Sequence, residues 1–427
     1  MIALFVFLLA LALLLIGVPV AFAFGGVAIF FALLMPELGM EVFDVLPFRI
    51  YGIMSNATLM AVPLFVMMGL ILEKSGMAER LLLVMSASFK GVRGGLGVSV
   101  VIVGAILAAS TGVVSASVVM MSLIALPIMI KAGYDKSLAS GTIASSGTLG
   151  QIIPPSIILI ILGDVMNVSV GELFTAAILP GLLLVGLYIF YILLRAFMNP
   201  SIAPAIKTQE HVSYKELFGA IVPPFVLMVS VLGSIFAGIA SPTESAAFGV
   251  LGGVILSVIN RTLSKEMLTY ALFETMKLSG MIFMILIGAT AFSLVFNELG
   301  GSDIVLDFFS SDIGDVWVFI AVSMLAIFIL GFFIDFIEIS FIIVPILIPV
   351  TQAFGIDPLW FAILIAMNLQ ASFLTPPFGL SLFFLKGAAK DTLSSLEIYR
   401  GVVPFIGLQL LALLLVMFFP DLVFAFF

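Results

Sequence analysis

The sequence predicts an all-α polytopic membrane protein: about ten to twelve transmembrane helices plus two re-entrant hairpins, in two inverted-topology repeats. Three observations carry this reading. The composition is extremely apolar, the loops alternate in charge, and the chain resembles itself at an offset of about 222 residues.

Of 427 residues, 63% are hydrophobic and 9% charged, where a soluble domain carries about 25% charged residues. At about 20 residues per crossing, the spans leave no room for a nucleotide-hydrolysing domain. The chain also lacks a GxxxxGK[ST] phosphate loop. With no Cys, disulfides, iron–sulfur clusters and thiolate metal sites are excluded. The first 35 residues have no basic n-region or small-residue cleavage site and run through Gly17-Val18-Pro19 into a second apolar stretch, so they read as membrane segments rather than a signal peptide.

Charge orients the loops. Residues 73–95 (Lys74, Arg80, Lys90, Arg93), 195–215, 261–265 and 386–400 (Lys386, Lys390, Arg400) are basic, which places them in the cytoplasm. Residues 36–48, 164–172 and 298–315 are acidic and fall on the opposite side. The uncharged run Leu96–Ile130 has basic residues at both ends, so it enters from the cytoplasm and returns there. Its small, polar middle, Ser110 to Ser117, is a hairpin tip. The run Val316–Val350 does the same from the acidic side, with Gly331, Asp335, Glu338 and Ser340 at its middle.

The internal repeat then sets the organisation. Gly133-Tyr134-Asp135 and Gln151-Ile152-Ile153-Pro154-Pro155-Ser156 recur as Gly355-Ile356-Asp357 and Phe373-Leu374-Thr375-Pro376-Pro377-Phe378. Equivalent loops carry opposite charge, the mark of inverted topology. The first repeat covers 1–198, with a hairpin at about 96–130 and a broken helix at about 138–163. A cytoplasmic linker, 199–216, holds His211, the single histidine. The second repeat covers 217–427, with a hairpin at about 316–350 and a broken helix at about 359–385.

Both Pro-Pro pairs fall mid-span, where they remove amide donors and break the helix. Irregular backbone survives at that depth only against protein or a wet cavity. Freed carbonyls and Ser/Thr hydroxyls are hard oxygen ligands suited to Na⁺, and helix N-termini suit an anion. No Lys or Arg lies within either hairpin or either broken span, so an anionic substrate would be held by amides, hydroxyls and bound Na⁺; Arg49 and Arg93 stand only at the membrane edges. Asp335 and Glu338 are intramembrane carboxylates and hence functional candidates. Glu244 in Ser241-Pro242-Thr243-Glu244-Ser245 reads equally as a helix cap. An enzyme is not expected: an intramembrane aspartyl protease needs two such Asp residues and only Asp335 qualifies, while His211 lies in a polar linker. A passive channel is disfavoured by discontinuous inverted repeats.

Gly238-Ile239-Ala240-Ser241-Pro242-Thr243-Glu244-Ser245-Ala246-Ala247 resembles the Pro-Thr-Glu signature of the large membrane (M) subunit of tripartite ATP-independent periplasmic (TRAP) transporters. Ile152-Ile153-Pro154-Pro155-Ser156 and Thr375-Pro376-Pro377-Phe378-Gly379 resemble that subunit's two central loops. The resemblance implies an ion-transporter-superfamily fold of elevator type in the bacterial inner membrane, taking up an organic acid coupled to Na⁺, with two or more coupling ions. It implies two partners: a small four-helix Q membrane subunit, expected as a separate chain, and a soluble periplasmic substrate-binding protein. No nucleic-acid partner is implied. The resemblance is nearest the sialic-acid branch, although the family also carries C4-dicarboxylates. A self-sufficient Na⁺/dicarboxylate symporter of the same superfamily is the alternative.

Carried onto this sequence, the family's first Na⁺ site joins Ser110 and Ser115 to carbonyls near Gly150, Ile153 and Pro155. The second joins Gly331 and Asp335 to Ser372 and Thr375. Substrate would touch Ser115, Ser156, Asp335 and Thr375. One departure stands out: relatives of the superfamily show Ser-Asn-Thr at the hairpin tips, where this chain has Ser-Ala-Ser and Phe-Ile-Asp.

Overall fold

The computed structural model of the chain describes residues 2–35, 38–111, 114–206 and 213–427. Its elements are helical, and no strand occurs among the described residues. The chain starts with α1 (Ile2–Leu15), α2 (Val20–Leu34) and a short α3 (Leu46–Met54). Then come α4 (Ala61–Lys74) and α5 (Met77–Ser88), joined through Gly76 at φ +71° and bent by 60°. Two helices that pack on each other follow, α6 (Gly95–Thr111) and α7 (Val114–Lys131). Next are α8 (Lys136–Thr148), a 3₁₀ turn at Leu149–Gln151, α9 (Ile157–Met166) and the long α10 (Val170–Met198).

The second half opens with α11 (Tyr214–Phe236), α12 (Pro242–Ile259) and the 34-residue α13 (Lys265–Glu298). After α14 (Gly301–Asp307) come α15 (Val316–Leu330), a single turn α16 (Phe336–Glu338) and α17 (Val344–Ala353). A π-helical turn, Ile339–Ile343, links α16 to α17. The chain ends with α18 (Pro358–Leu374), α19 (Leu380–Ala389), α20 (Ser395–Phe418) and α21 (Asp421–Phe424).

The Gly-x-Asp element found in both halves has a plain physical reason. Gly133 (φ +81°) and Gly355 (φ +65°) end α7 and α17 in the left-handed region that glycine adopts freely. Two residues on, Asp135 caps α8 by accepting from the Leu138 amide at 2.9 Å, and Asp357 caps α18 by accepting from Trp360 at 3.0 Å. Each hairpin is thereby turned directly into the helix that breaks after it.

Seven helices among the described residues are long and apolar enough to span a bilayer unaided, and bent α4–α5 makes an eighth. This is fewer than the ten to twelve expected from length. The difference arises because several apolar stretches are divided into shorter helices, among them α6, α9, α15, α18 and α19. Large apolar side chains such as Phe197 (84% exposed) and Phe218 (63%) face outward. Lipid, unlike water, accepts them without penalty.

Close backbone approaches organise the interior. α2 packs on α13, where Gly25 meets Gly288, and α12 packs on α4, where Gly249 meets Met68. α8 lies against α20 so tightly that a Cβ on Gly141 would overlap the Gly401 carbonyl. Lys136 and Glu397 pair at 3.7 Å near the start of both helices.

The ambiguous Glu244 is a cap. Its Oε2 accepts from the Ser241 amide at 2.8 Å, and the Ser241 hydroxyl accepts from the Glu244 amide at 3.3 Å, a reciprocal capping box behind Pro242. His211 lies outside the described residues.

Candidate functional site

The first helix break spans 152–156, between the 3₁₀ turn and α9, and the second spans 375–379, between α18 and α19. Both Pro-Pro bonds, Pro154-Pro155 and Pro376-Pro377, are cis. Each break is closed by a buried serine. The Ser156 hydroxyl donates to the Gln151 carbonyl at 2.7 Å, and Ser381 donates to the Phe373 carbonyl at 2.7 Å. Around the first break, Gly150 and Pro155 are buried and Ile153 is half-buried, its amide donating to the Leu149 carbonyl at 2.9 Å.

Of the residues expected at the second ion site, Gly331 and Ser372 come into contact. Gly331, at the end of α15, sits directly against Ser372, and a Cβ on Gly331 would overlap the Ser372 hydroxyl. Rings continue the contact: Phe333 lies 5.1 Å from Phe378, and Phe336 lies 6.1 Å from Phe373, centroid to centroid. Ser372 and Thr375 donate to the carbonyls of Leu369 and Ala371, both at 2.8 Å. Half-buried Asp335 is the N-cap of α16. Its Oδ1 accepts from the Phe336 amide at 2.6 Å, while its own amide donates to Glu338 Oε2 at 2.6 Å. The two carboxylates therefore accept from two successive amides, Glu338 from that of Asp335 and Asp335 from that of Phe336.

The first hairpin packs on the first broken helix: α6 and α7 both touch α8 and the 3₁₀ turn, and Val118 lies against Gly147. Ser110 belongs to the last turn of α6, and its side chain falls outside the described residues. Ser115, in the first turn of α7, opens onto a cavity of about 580 Å³. The cavity wall also includes Glu73, Lys74, Glu79, Tyr270 and Glu274. Lys74 stands 4.4 Å over the Tyr270 ring and 3.7 Å from Glu73. These residues belong to the loop and helix end that charge places in the cytoplasm. Of the four residues expected at the substrate, the cavity takes in Ser115, while Ser156, Asp335 and Thr375 lie elsewhere. Arg49 and Arg93 do not border it.

The structure adds two residues that the sequence reading passed over. Ser381 bridges the second break from eight residues away, too far to be seen as part of the Pro-Pro motif. Gln151 is 1% exposed, and neither of its side-chain amide atoms has a hydrogen-bond partner among the described residues. Its signal was position: a lone amide side chain between the glycine and the prolines of a broken span.

The arrangement is a membrane transporter's, with irregular backbone at two places, α6 and α7 packed on the first broken helix and α15 on the second. Residues 7–422 match the family described as "Tripartite ATP-independent periplasmic transporter, DctM component", and the chain belongs to that family. It is 30% identical over 98% of its length, and 97% of the relative's, to the C4-dicarboxylate TRAP transporter large permease protein DctM of Rhodobacter capsulatus. It is 29% identical over 96% of its length (95% of the relative's) to the sialic acid TRAP transporter large permease protein SiaM of Vibrio cholerae. To the ectoine/5-hydroxyectoine large permease protein UehC of Ruegeria pomeroyi it is 31% identical over 97% of its length and 96% of that chain's. In fold it resembles the Alcanivorax borkumensis YdaH transporter, with a TM-score of 0.63 over 91% of both chains at 16% identity. The protein is a multi-pass protein of the bacterial inner membrane, a component of a secondary transporter for organic acids that works with a substrate-binding protein.

Proposed function

We propose that the chain is the permease of a Na⁺-coupled uptake system for an organic acid, with sialic acid the first substrate to test. The acid is delivered by a soluble periplasmic binding protein, and a small four-helix membrane subunit completes the assembly. The observation that carries this reading is the packing of α7 and of the end of α15 on the helix just before each break: Val118 on Gly147 in the first half, Gly331 on Ser372 in the second. The donor set at both breaks is carbonyl and hydroxyl oxygen, to which the second adds the Asp335 carboxylate, and such hard oxygen ligands suit Na⁺ over softer metals. Gly150, Ile153 and Pro155 would hold one ion with Ser110 and Ser115. Ser372, Thr375, Gly331 and Asp335 would hold another.

Substrate would lie between the two ions, and an elevator-type movement of the hairpins and broken helices would carry it across. The cavity at Ser115 lies among residues that charge assigns to the cytoplasm, which supports an inward-facing arrangement.

The test is uptake of labelled sialic acid into proteoliposomes holding this chain with its small subunit. The binding protein is added or omitted outside, and Na⁺ or K⁺ forms the inward gradient. Uptake that requires both Na⁺ and the binding protein is the expected result. Uptake with Na⁺ alone would transfer the protein to the self-sufficient symporters. Binding-protein-dependent uptake of a C4-dicarboxylate or ectoine in place of sialic acid would revise the substrate and leave the coupling intact.

A further inference from the structure

Four helices bring a polar cluster together in the packed interior, away from the cavity. Tyr188 of α10 and Gln370 of α18 are 0% exposed, Gln409 of α20 is 1% exposed, and Thr148, the last residue of α8, is 0% exposed. Gln409 Nε2 donates to Thr148 Oγ1 at 3.4 Å, and the Tyr188 hydroxyl lies beside the amides of Gln370 and Gln409. The Tyr188 hydroxyl, both amide atoms of Gln370 and Oε1 of Gln409 nevertheless have no hydrogen-bond partner among the described residues. The two halves contribute alike. Thr148 and Gln370 occupy equivalent positions near the ends of the two broken helices, and Tyr188 and Gln409 stand on the helices α10 and α20 that follow them.

Buried polar groups are almost always met, and a half-met network is worse than an apolar core. The chemistry of the unmet atoms decides what meets them. A glutamine side chain brings two N–H donors and a carbonyl acceptor, and a tyrosine hydroxyl both donates and accepts. Turning either amide over exchanges its ends without changing that inventory. A cation would satisfy the oxygens but press its charge against the Gln370 amide hydrogens. Water gives and takes, and a buried water typically makes about three such bonds.

We propose that Tyr188, Gln370 and Gln409 form a sealed hydration site, in which ordered water ties the second broken helix to α10 and α20, while Gln409 holds the first through Thr148. The site is distinct from both helix breaks and does not depend on which ion or acid is carried.

The test is thermal unfolding of the purified complex in Na⁺ and in K⁺ buffer, comparing wild type with Tyr188→Phe and Gln370→Met. In a hydrated site each substitution takes a partner from the water and lowers the midpoint. In a dry site Tyr188→Phe deletes an unmet hydroxyl, and a midpoint that stays or rises overturns the proposal. Any rise of the midpoint with Na⁺ must survive in Tyr188→Phe; its loss there would make the occupant a cation and overturn the proposal too. Because a direct bond from Tyr188 to either amide would be lost in Tyr188→Phe as well, a density map of the wild-type complex at water-resolving resolution decides between water and direct contact, and does so even if a variant fails to fold. A peak within hydrogen-bond reach of Tyr188 Oη and the Gln370 amide supports the site, and no peak overturns it.

Discussion

Ser381 donates its hydroxyl to the carbonyl of Phe373 across the second helix break, at 2.7 Å. Ser156 makes the same bond at the same length to the Gln151 carbonyl across the first. The two acceptors are 222 positions apart, 151 and 373, in register with the Pro-Pro pairs, while the two donors are not. The requirement shared by both halves is therefore a met carbonyl just before the break. The serine that meets it stands five residues after the acceptor in the first half and eight in the second.

Ser381→Ala leaves the Phe373 carbonyl unmet in a buried place, a cost of about 1–3 kcal/mol. Loss of that support loosens the loop that presents Thr375. The Na⁺ concentration for half-maximal uptake should rise about tenfold, which corresponds to about 1.4 kcal/mol. Ser381→Thr keeps the hydroxyl and should restore most of the affinity. A Na⁺ titration of uptake reads both; identical curves for Ser381→Ala and wild type would show that the bridge plays no part in ion binding.

Gly331→Ala puts a methyl group where the Ser372 hydroxyl already lies. Overpacking of this kind costs about 1–3 kcal/mol, and here the strain falls on the contact between hairpin tip and broken helix. Uptake should drop by about tenfold or more. Adding Ser372→Gly to the same chain frees the space and should recover part of it. Failure of the second change to help at all would place the damage elsewhere in the tip.

Asp335 has two separable tasks, a cap and a charge. Asparagine caps a helix about as well as aspartate, so Asp335→Asn should leave the unfolding midpoint nearly unchanged while weakening Na⁺-dependent uptake. Asp335→Ala gives up the cap as well, at about 1 kcal/mol, and should lower both. Wild-type transport in Asp335→Asn would leave the carboxylate with its bond to the Phe336 amide as its whole role.

Lys74 is the sole basic side chain among the described residues of the cavity wall, beside Glu73, Glu79 and Glu274. On the proposed reading, an anion leaving Ser115 passes a wall with an excess of carboxylate, and Lys74 offers the single countercharge among the described residues. Lys74→Ala should slow uptake several-fold, and the deficit should shrink at high salt, where the remaining carboxylates are screened. Lys74→Arg should keep most of the rate. Equal rates in wild type and Lys74→Ala at low salt would remove Lys74 from the exit path.

The helix breaks are legible in the sequence because proline cannot donate into a helix wherever it stands. The Gly-x-Asp turns are legible too, since a left-handed glycine and an aspartate cap act within a few residues of each other. What escapes such a reading is whatever the chain assembles from a distance. Ser381 reaches back eight residues to Phe373, and Leu159 stands at its counterpart in the first half, so the repeat hides it. The cluster of Tyr188, Gln370 and Gln409 needs three helices to meet, and nothing local marks any of the three. Asp335 was legible as an unusual intramembrane charge, but its bond to the Phe336 amide and its link to Glu338 depend on the turn that α16 makes.

The length of α13 has a mechanical consequence. Its 34 residues run about 51 Å at 1.5 Å per residue, while the hydrocarbon slab is about 30 Å thick. Such a rod must lean, or carry several turns beyond the lipid. Because α2 and α4 both pack on it, the lean is shared by its neighbours rather than taken up locally. Tyr270 and Glu274, at the rod's cytoplasmic end, move sideways whenever the lean changes. On the proposed inward-facing reading, lipid chain length thus acts as a lever on the width of the opening at Tyr270 and Glu274.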